Sequence, residues 1–360
     1  MSYESVVPAI ARQNEMELEV VERVEESHNV VSLVLQPADK THVAPFQAGQ
    51  HLVLRLADVP QRPIATYTIS SAPHDRRGYR ISVKLDATGQ GGSRYVHQIA
   101  KVGTRLRVSG PRGSFVLAQN DRPVILLTGG IGITPALSML HDLAQGPARP
   151  VYFIHACNDR NDHCFQDELR RITRDRPWIR VFTAYASGTA EDVAQGLCQH
   201  LGLLDRKTLR GVLPLDNYQV YMCGPTGFMD AMRRTLTDLG LHDHDIRQES
   251  FGSALPASSA KTPPADPIAG AQTATAPGIK VRFGRADLDA TWDGGANLLD
   301  FAEAQGLSPD FSCRAGVCGS CQCTLLHGEI EYDEEPLDPL PEGTILLCCA
   351  RPKGPIELDL

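Results

Sequence analysis

The sequence predicts a multidomain chain with an antiparallel β-barrel first, an α/β doubly wound domain second and a small cysteine-rich domain last. Three observations carry this. Residues 16–118 hold short apolar or alternating runs between Gly, Pro and Asp, the pattern of a small antiparallel barrel. Residues 121–252 alternate short apolar strands with helical stretches, the pattern of a parallel sheet wound on both faces. Six of the ten cysteines crowd into the last 48 residues, behind a stretch rich in Ala, Pro, Ser and Thr. At roughly 150 residues per domain, a chain of 360 residues holds two or three such units.

In the barrel segment the expected strands are Met16–Val24, Val30–Gln36, His51–Leu56, Ala65–Ser70, Tyr79–Lys84 and Arg105–Val108. Residues 1–15 show no pattern and are expected to form a disordered tail. In the second segment, 121–252, the strands are Val124–Leu127, Val151–His155, Arg180–Ala184 and Gln219–Met222. Helices are expected at Phe165–Arg174, with Phe165, Leu169 and Ile172 on one face, and at Gly227–Leu239. Residues 253–278 cannot bury enough apolar surface to offset their ordering entropy and read as a linker to a last domain at 279–360.

Composition excludes several classes. Apolar content of 42% and charged content of 22% are ordinary for globular chains. A net charge of −8 argues against a nucleic-acid partner. No apolar run approaches the roughly 18 residues of a membrane span. Residues 1–30 carry acids throughout and show no secretory signal, so a cytoplasmic location is expected, and disulfides with it are not. Cys157, Cys164 and Cys198 then read as small buried hydrophobes.

The late cysteines are spaced Cys313-x4-Cys318-x2-Cys321, with Cys348 following 26 residues later. This is the plant-type [2Fe–2S] spacing. Two sulfide-bridged irons need four thiolates, and Gly316 and Gly319 let the loop curl so that amides point at sulfur. A structural zinc site would use two short Cys knuckles, and one is present. Residues 278–360 resemble the plant-type ferredoxin domains, which implies a β-grasp-like α+β fold. Leu346-Leu347-Cys348-Cys349-Ala350-Arg351-Pro352 resembles that family's closing motif. The resemblance implies Cys348, four residues before the proline, as the fourth ligand, with Cys349 surplus and Cys323 packing.

Thr128-Gly129-Gly130-Ile131-Gly132-Ile133-Thr134-Pro135 ends a strand and opens a helix, where backbone amides can approach a pyrophosphate. Tyr221-Met222-Cys223-Gly224-Pro225 stands at the carboxyl end of a later strand, where open α/β sheets bind ligands. Together these resemble the pyridine-nucleotide domain of the ferredoxin–NADP reductase superfamily. The resemblance implies Gly130, Gly132 and Thr134 at the nucleotide and Cys223 beside the nicotinamide, with Gly224 and Pro225 shaping the turn.

The same superfamily places a flavin barrel ahead of this domain. Thr66-Tyr67-Thr68-Ile69-Ser70-Ser71-Ala72-Pro73 resembles its flavin strand. Tyr67 is thereby implied on the isoalloxazine face and the Thr68 hydroxyl near the reactive flavin nitrogen, with Ser70 also in the cofactor site. Gly89-Gln90-Gly91-Gly92-Ser93-Arg94-Tyr95-Val96-His97 resembles the family's phosphate loop, with Gly91, Gly92, Ser93 and Arg94 implied at the phosphates, and Gly110-Pro111-Arg112-Gly113-Ser114-Phe115 resembles its closing turn. Gln248-Glu249-Ser250-Phe251-Gly252 resembles the Glu-x-Phe ending, which implies Glu249 and Phe251 at the flavin. One departure is Ala65, where the family has a phosphate-binding arginine; Arg62 or Arg94 is the replacement to test. The phosphate loop resembles that of the FMN-binding phthalate dioxygenase reductase branch. The Pro-x-Gly-x-Phe turn resembles FAD-binding flavohaemoprotein reductase domains, and FAD is the preferred expectation.

The resemblance implies an NAD(P)H-dependent flavin and iron–sulfur reductase that delivers electrons to a terminal oxygenase, such as a Rieske-type or diiron hydroxylase or demethylase. A different redox acceptor, or a non-catalytic electron-carrier or redox-sensing module, stands as the alternative. Cys157-Asn158-Asp159-Arg160 offers one acid and one arginine and leaves NADH against NADPH open. His242-Asp243-His244-Asp245 is expected to be a solvated loop. The acids Glu329, Glu331, Asp333, Glu334, Glu335 and Asp338 are expected on the surface.

Overall fold

A computed structural model of the chain describes residues 15–56, 64–87, 91–250, 278–311, 316, 319, 321–337 and 339–360. Arg62, Phe251, Cys313, Cys318 and Asp338 fall outside these residues, as do residues 1–14 of the expected tail at 1–15 and residues 253–277 of the expected linker at 253–278. The described residues form two compact units, one within 15–250 and one within 278–360.

The first unit opens with β1 (Glu15–Ser27), β2 (Val30–Pro37), β3 (His51–Arg55), β4 (Ile64–Thr68) and β5 (Tyr79–Lys84), followed by helix α1 (Gly92–Gln98) and β6 (Arg105–Arg112). They pair in the order β4-β3-β6-β1-β2-β5, and an antiparallel bridge from Ile69 to Ile81 joins the two ends into a barrel. Alternation decides what lies inside: Leu18 and Val20, Leu33 and Leu35, Leu52 and Leu54, Ile81 and Val83 all point into one buried core. Residue 15, expected in the tail, belongs to β1, and residues 92–97 of the expected phosphate loop are helix. Strand β6 runs on through Gly110–Arg112, beyond its expected end at Val108.

The same unit continues with β7 (Val124–Gly129), α2 (Ile133–Gln145), β8 (Val151–Cys157), α3 (Gln166–Thr173) and β9 (Ile179–Tyr185). There follow α4 (Ala190–Ala194), β10 (His200–Leu201), α5 (Arg206–Val212), β11 (Gln219–Gly224), α6 (Thr226–Asp238) and β12 (Ile246–Ser250). The sheet order is β10-β9-β8-β7-β11-β12, with parallel pairing throughout. Central strands buried on both faces read as apolar runs, and successive residues serve opposite layers. Val124 and Leu126 pack with α2 and α3, whereas Ile125 and Leu127 pack with α5 and α6. Val30 and Ala48 of the barrel half sit in the α2–α3 layer, so barrel and sheet share a core.

Near the end of this unit, His242–Asp245 departs from a solvated loop. His242 and His244 are exposed, but Asp245 is buried and pairs with Arg122 at 2.7 Å. That ion pair ties the entry of β12 to the entry of β7.

The second unit comprises β13 (Ile279–Phe283), β14 (Leu288–Trp292), α7 (Leu298–Ala304), β15 (Gln322–His327), β16 (Ile330–Tyr332), β17 (Thr344–Leu346), β18 (Ala350–Pro352) and β19 (Ile356–Leu358). A mixed sheet of order β14-β13-β19-β15-β17 holds α7 through Leu298, Leu299 and Phe301, as an α+β layer requires. Asn297 caps α7 by accepting from the Asp300 amide at 2.9 Å. Cys323 lies in this core, as do Cys321, Cys348 and Cys349. Glu329, Glu331, Asp333 and Glu335 are exposed. Among the described residues no helix is long and apolar enough to cross a membrane.

Candidate functional site

The glycine-rich turn and the Cys223-Gly224-Pro225 turn meet at the carboxyl end of the parallel sheet. Strand β7 pairs with β11, which sets Thr128 opposite Cys223. The chain then makes a short turn at Gly130–Gly132 and enters α2. A β-carbon on Gly132 would lie 2.2 Å from the Cys223 carbonyl oxygen and 2.7 Å from the Gly224 nitrogen. Only glycine permits that approach, and it brings two motifs 91 positions apart into contact. Gly130 has φ +53 and open space where a side chain would stand, so its face is free for a ligand. Thr134 is buried, and its hydroxyl donates to the Ile131 carbonyl at 3.1 Å, so what it can offer a ligand is its backbone amide. Pro225 is exposed and leads into α6.

Strand β12 runs beside β11 and sets Glu249 opposite Cys223. Part of Glu249 reaches the surface, but its Oε2 is buried and has no hydrogen-bond partner among the described residues. Burial pushes its pKa up to about 8. The Cys223 thiol is pushed well above the ordinary thiol range, first by burial and then by the neighbouring Glu249 charge. Both groups therefore hold their protons at neutral pH.

On the barrel, Tyr67 is half-buried at the end of β4, and Thr68 is buried. A β-carbon on Gly92 would lie 3.3 Å from both the Tyr67 hydroxyl and the Ala65 β-carbon. The first turn of α1 thus packs on this strand, and Gly91 turns into it with φ +102. The Ser93 hydroxyl accepts from the Asp86 amide at 3.0 Å, and Arg94 is exposed. Ser70 is a correction. It is fully buried, its Oγ lies 2.8 Å from Ser82 Oγ and 3.2 Å from the Arg80 carbonyl, and it accepts from Arg80 Nε at 3.1 Å. One donor and two lone pairs are then used, so Ser70 braces the barrel wall and has nothing left for a cofactor.

The sequence reading missed His51. It opens β3 opposite Thr68, and a register shift brings Arg112 of β6 beside it as well. Burial, then the Arg112 charge, lowers its pKa to about 4, so the ring is neutral, and its Nε2 has no partner among the described residues. A histidine at the head of an ordinary apolar strand carries no local signal that would single it out.

In the second unit, Gly316 has φ +66 and donates its amide to Cys348 Sγ at 3.3 Å. Gly319 has φ +70. Cys348 also lies within hydrogen-bonding reach of Cys321 and of Cys349, and Cys349 Sγ stands against Gly316 as well as facing the Leu346 carbonyl at 3.6 Å. Buried sulfurs with an amide aimed at one of them fit the chemistry of an anionic iron–sulfur centre. The open glycine face, the orphaned Glu249 oxygen and the half-buried Tyr67 likewise fit a nucleotide and a flavin.

Comparisons with known proteins agree in order and extent. The oxidoreductase FAD-binding domain model matches residues 17–117, the oxidoreductase NAD-binding domain model 126–234, and the 2Fe-2S iron-sulfur cluster binding domain model 287–353. A flavohemoprotein of Deinococcus radiodurans is 37% identical over 236 residues, 65% of this chain and 58% of that one. The chain thus spans less than two thirds of the length of the curated relatives it matches. The FAD/NAD-binding domain of a nitric oxide dioxygenase from Vibrio cholerae O1 biovar El Tor has TM-score 0.60 and 32% identity, covering 67% of this chain and all of that one. Phthalate dioxygenase reductase has TM-score 0.59 and 25% identity, covering 96% of this chain and 98% of that one. With a flavin barrel, a nucleotide sheet and a ferredoxin-like unit in this order, the chain belongs to the ferredoxin–NADP reductase superfamily, as an NAD(P)H-dependent oxidoreductase whose cofactors are FAD and a [2Fe–2S] cluster.

Proposed function

We propose that this chain is the reductase component of an oxygenase system, carrying electrons from NADH through FAD and [2Fe–2S] to a separate terminal oxygenase. The observation that carries the reading is the contact of Gly132 with Cys223 and Gly224, which makes one cradle at the carboxyl end of the sheet beside Glu249. Gly130, Gly132, the Thr134 amide, Gly224 and Pro225 would hold the nucleotide, with Cys223 against the nicotinamide. Tyr67 and Thr68 would hold the isoalloxazine. The amides of Gly91 and Gly92, with Ser93 and either Arg62 or Arg94, would hold the flavin phosphates. Phe251 would complete the flavin site beside Glu249, and Cys313, Cys318, Cys321 and Cys348 would hold the cluster.

Bound flavin and cluster together supply the conversion of a two-electron donation into single-electron steps. The chain's own part is position and charge. Cys223 as a neutral thiol and Glu249 as a neutral acid present no negative charge to an electron-rich nicotinamide, and the Glu249 carboxyl retains a proton close to the cradle. NADH is preferred because Arg160, which follows β8 at the carboxyl end of the sheet, is already paired with Asp192 at 2.7 Å. Asp192 in turn is fixed by accepting from the Thr189 amide and hydroxyl, so the arginine is held beside a carboxylate whose charge would repel a 2′-phosphate.

The oxygenase partner is supported by the likeness to phthalate dioxygenase reductase, described as a modular structure for electron transfer from pyridine nucleotides to [2Fe–2S]. The flavohemoprotein likeness supports the reductase half alone. Anaerobic addition of NADH or NADPH to the purified holoprotein tests the reading. NADH is expected to bleach flavin and cluster together and NADPH to act more slowly. A protein whose absorbance neither nucleotide changes would be a carrier or sensor instead.

A further inference from the structure

Between the barrel and the nucleotide sheet lies a polar network that the proposed binding roles do not use. Arg80 at the start of β5 donates to Glu168 of α3 through both terminal nitrogens, at 2.8 and 2.9 Å. The same guanidinium donates to the Ser70 carbonyl at 2.8 Å and lies over the Phe165 ring, 5.2 Å from its centroid. Glu168 Oε1 also bonds His141 Nε2 of α2 at 2.6 Å. One turn earlier on α2, the Ser138 hydroxyl donates to the Ser71 carbonyl at 2.9 Å. Glu168 is mostly buried; burial alone would raise its pKa, but the bonds from His141 and Arg80 outweigh that and hold it at about 2. Glu26 and Glu22 add nearby negative charge.

The endpoints give the network its meaning. Ser70 and Ser71 stand two and three residues beyond Thr68, and Ser138 and His141 lie on the helix that begins at the Gly132 turn. Both attachments therefore connect the strand proposed to hold flavin to the helix proposed to hold the nucleotide. We infer that Arg80, Glu168, His141 and Ser138 are positioning residues that fix the flavin strand against the nucleotide helix and thereby set the separation across which hydride passes. This rests on the reductase reading. The consequence lies in geometry: displacing reacting atoms by about 1 Å costs about 100-fold in rate.

The test uses FAD- and cluster-loaded holoprotein carrying Glu168→Ala, Glu168→Gln or Ser138→Ala, beside the native chain. Under anaerobic conditions three quantities are read: the dissociation constant for NADH, the flavin-bleaching rate at saturating NADH, and the long-wavelength absorbance from stacking of nicotinamide on flavin. Glu168→Ala is expected to bind NADH within about threefold of native and to lose about 10- to 100-fold in bleaching rate, with the stacking band weakened in parallel. Glu168→Gln, which keeps a hydrogen-bonding oxygen, is expected to recover part of both. Variants that retain FAD, with native rate and band, would reduce the network to a structural contact. Should Glu168→Ala lose FAD, Ser138→Ala and Glu168→Gln decide by the same readouts. If the native chain itself is not bleached by NADH, the reductase reading fails and this inference with it. Native bleaching with unaffected variants removes the inference alone.

Discussion

A carboxyl group placed where its oxygen meets neither water nor a donor keeps its proton, and Glu249 shows what that does to the protein's pH response. Its pKa is about 8 in the fold against an ordinary 4.5, with burial as the cause. Between those values the native state binds a proton that the unfolded chain has released, so stability falls as pH rises through the window and levels off above it. Each pKa unit corresponds to about 1.4 kcal/mol. Glu249→Gln cannot ionise and has nearly the same shape as the protonated acid. Its melting temperature relative to native is therefore expected to rise steadily from pH 5 to pH 8. A difference between the two proteins that stays constant with pH would show that Glu249 ionises normally.

At the scale of elements, the start of α2 is held by a contact that tolerates no side chain. Gly132→Ala would set a methyl 2.2 Å from the Cys223 carbonyl oxygen, backbone against backbone, so α2 must move off β11. Such overpacking costs about 1–3 kcal/mol. NADH affinity is expected to fall by about tenfold, an effect of about 1.4 kcal/mol. Gly130→Ala meets open space and carries its left-handed backbone cost, about 1–2 kcal/mol, with no displacement of α2, but its methyl stands on the face proposed for the nucleotide. NADH binding by isothermal titration is therefore expected to weaken in both variants, whereas amide hydrogen exchange along α2 is expected to speed in Gly132→Ala alone; equal exchange in the two would overturn the distinction. The strands of this region were legible because Val124–Leu127 and Gln219–Met222 are apolar runs between turn residues, a local property. Helix α1 was not, since Gly91, Gly92 and Ser93 read as loop and the buried side of the helix is Gly92, Tyr95 and Val96. The Ser70 brace, the Arg80–Glu168 pair and the orphaned His51 nitrogen were not legible either. Arg80 and Glu168 stand 88 positions apart, and no periodicity along a chain reports which distant strand or helix will face a given polar residue.

At the scale of the molecule, the proposed sites divide between the two compact units. Those residues proposed for flavin and nucleotide that the structure describes lie within 15–250, and Cys321 and Cys348, proposed for the cluster, lie within 278–360, packed on Leu346 and Leu347. A solved FAD/NAD-binding domain is matched over its whole length by 67% of this chain, so a flavin and nucleotide half has a counterpart solved on its own. Loss of the cluster should therefore leave flavin reduction intact. Cys348→Ser removes a thiolate that the Gly316 amide addresses, and a serine hydroxyl does not supply an equivalent anion at neutral pH. Cys349→Ser changes a sulfur that faces the Leu346 carbonyl instead. In anaerobic NADH titrations the native chain and Cys349→Ser should each take up about three electrons, two at the flavin and one at the cluster. Cys348→Ser should take up about two, bleach its flavin at the native rate, and lack the cluster absorbance. If Cys349→Ser loses the cluster and Cys348→Ser keeps it, the fourth ligand is Cys349. If Cys348→Ser also loses flavin reduction, the two units do not function independently in the order from nucleotide to flavin to cluster.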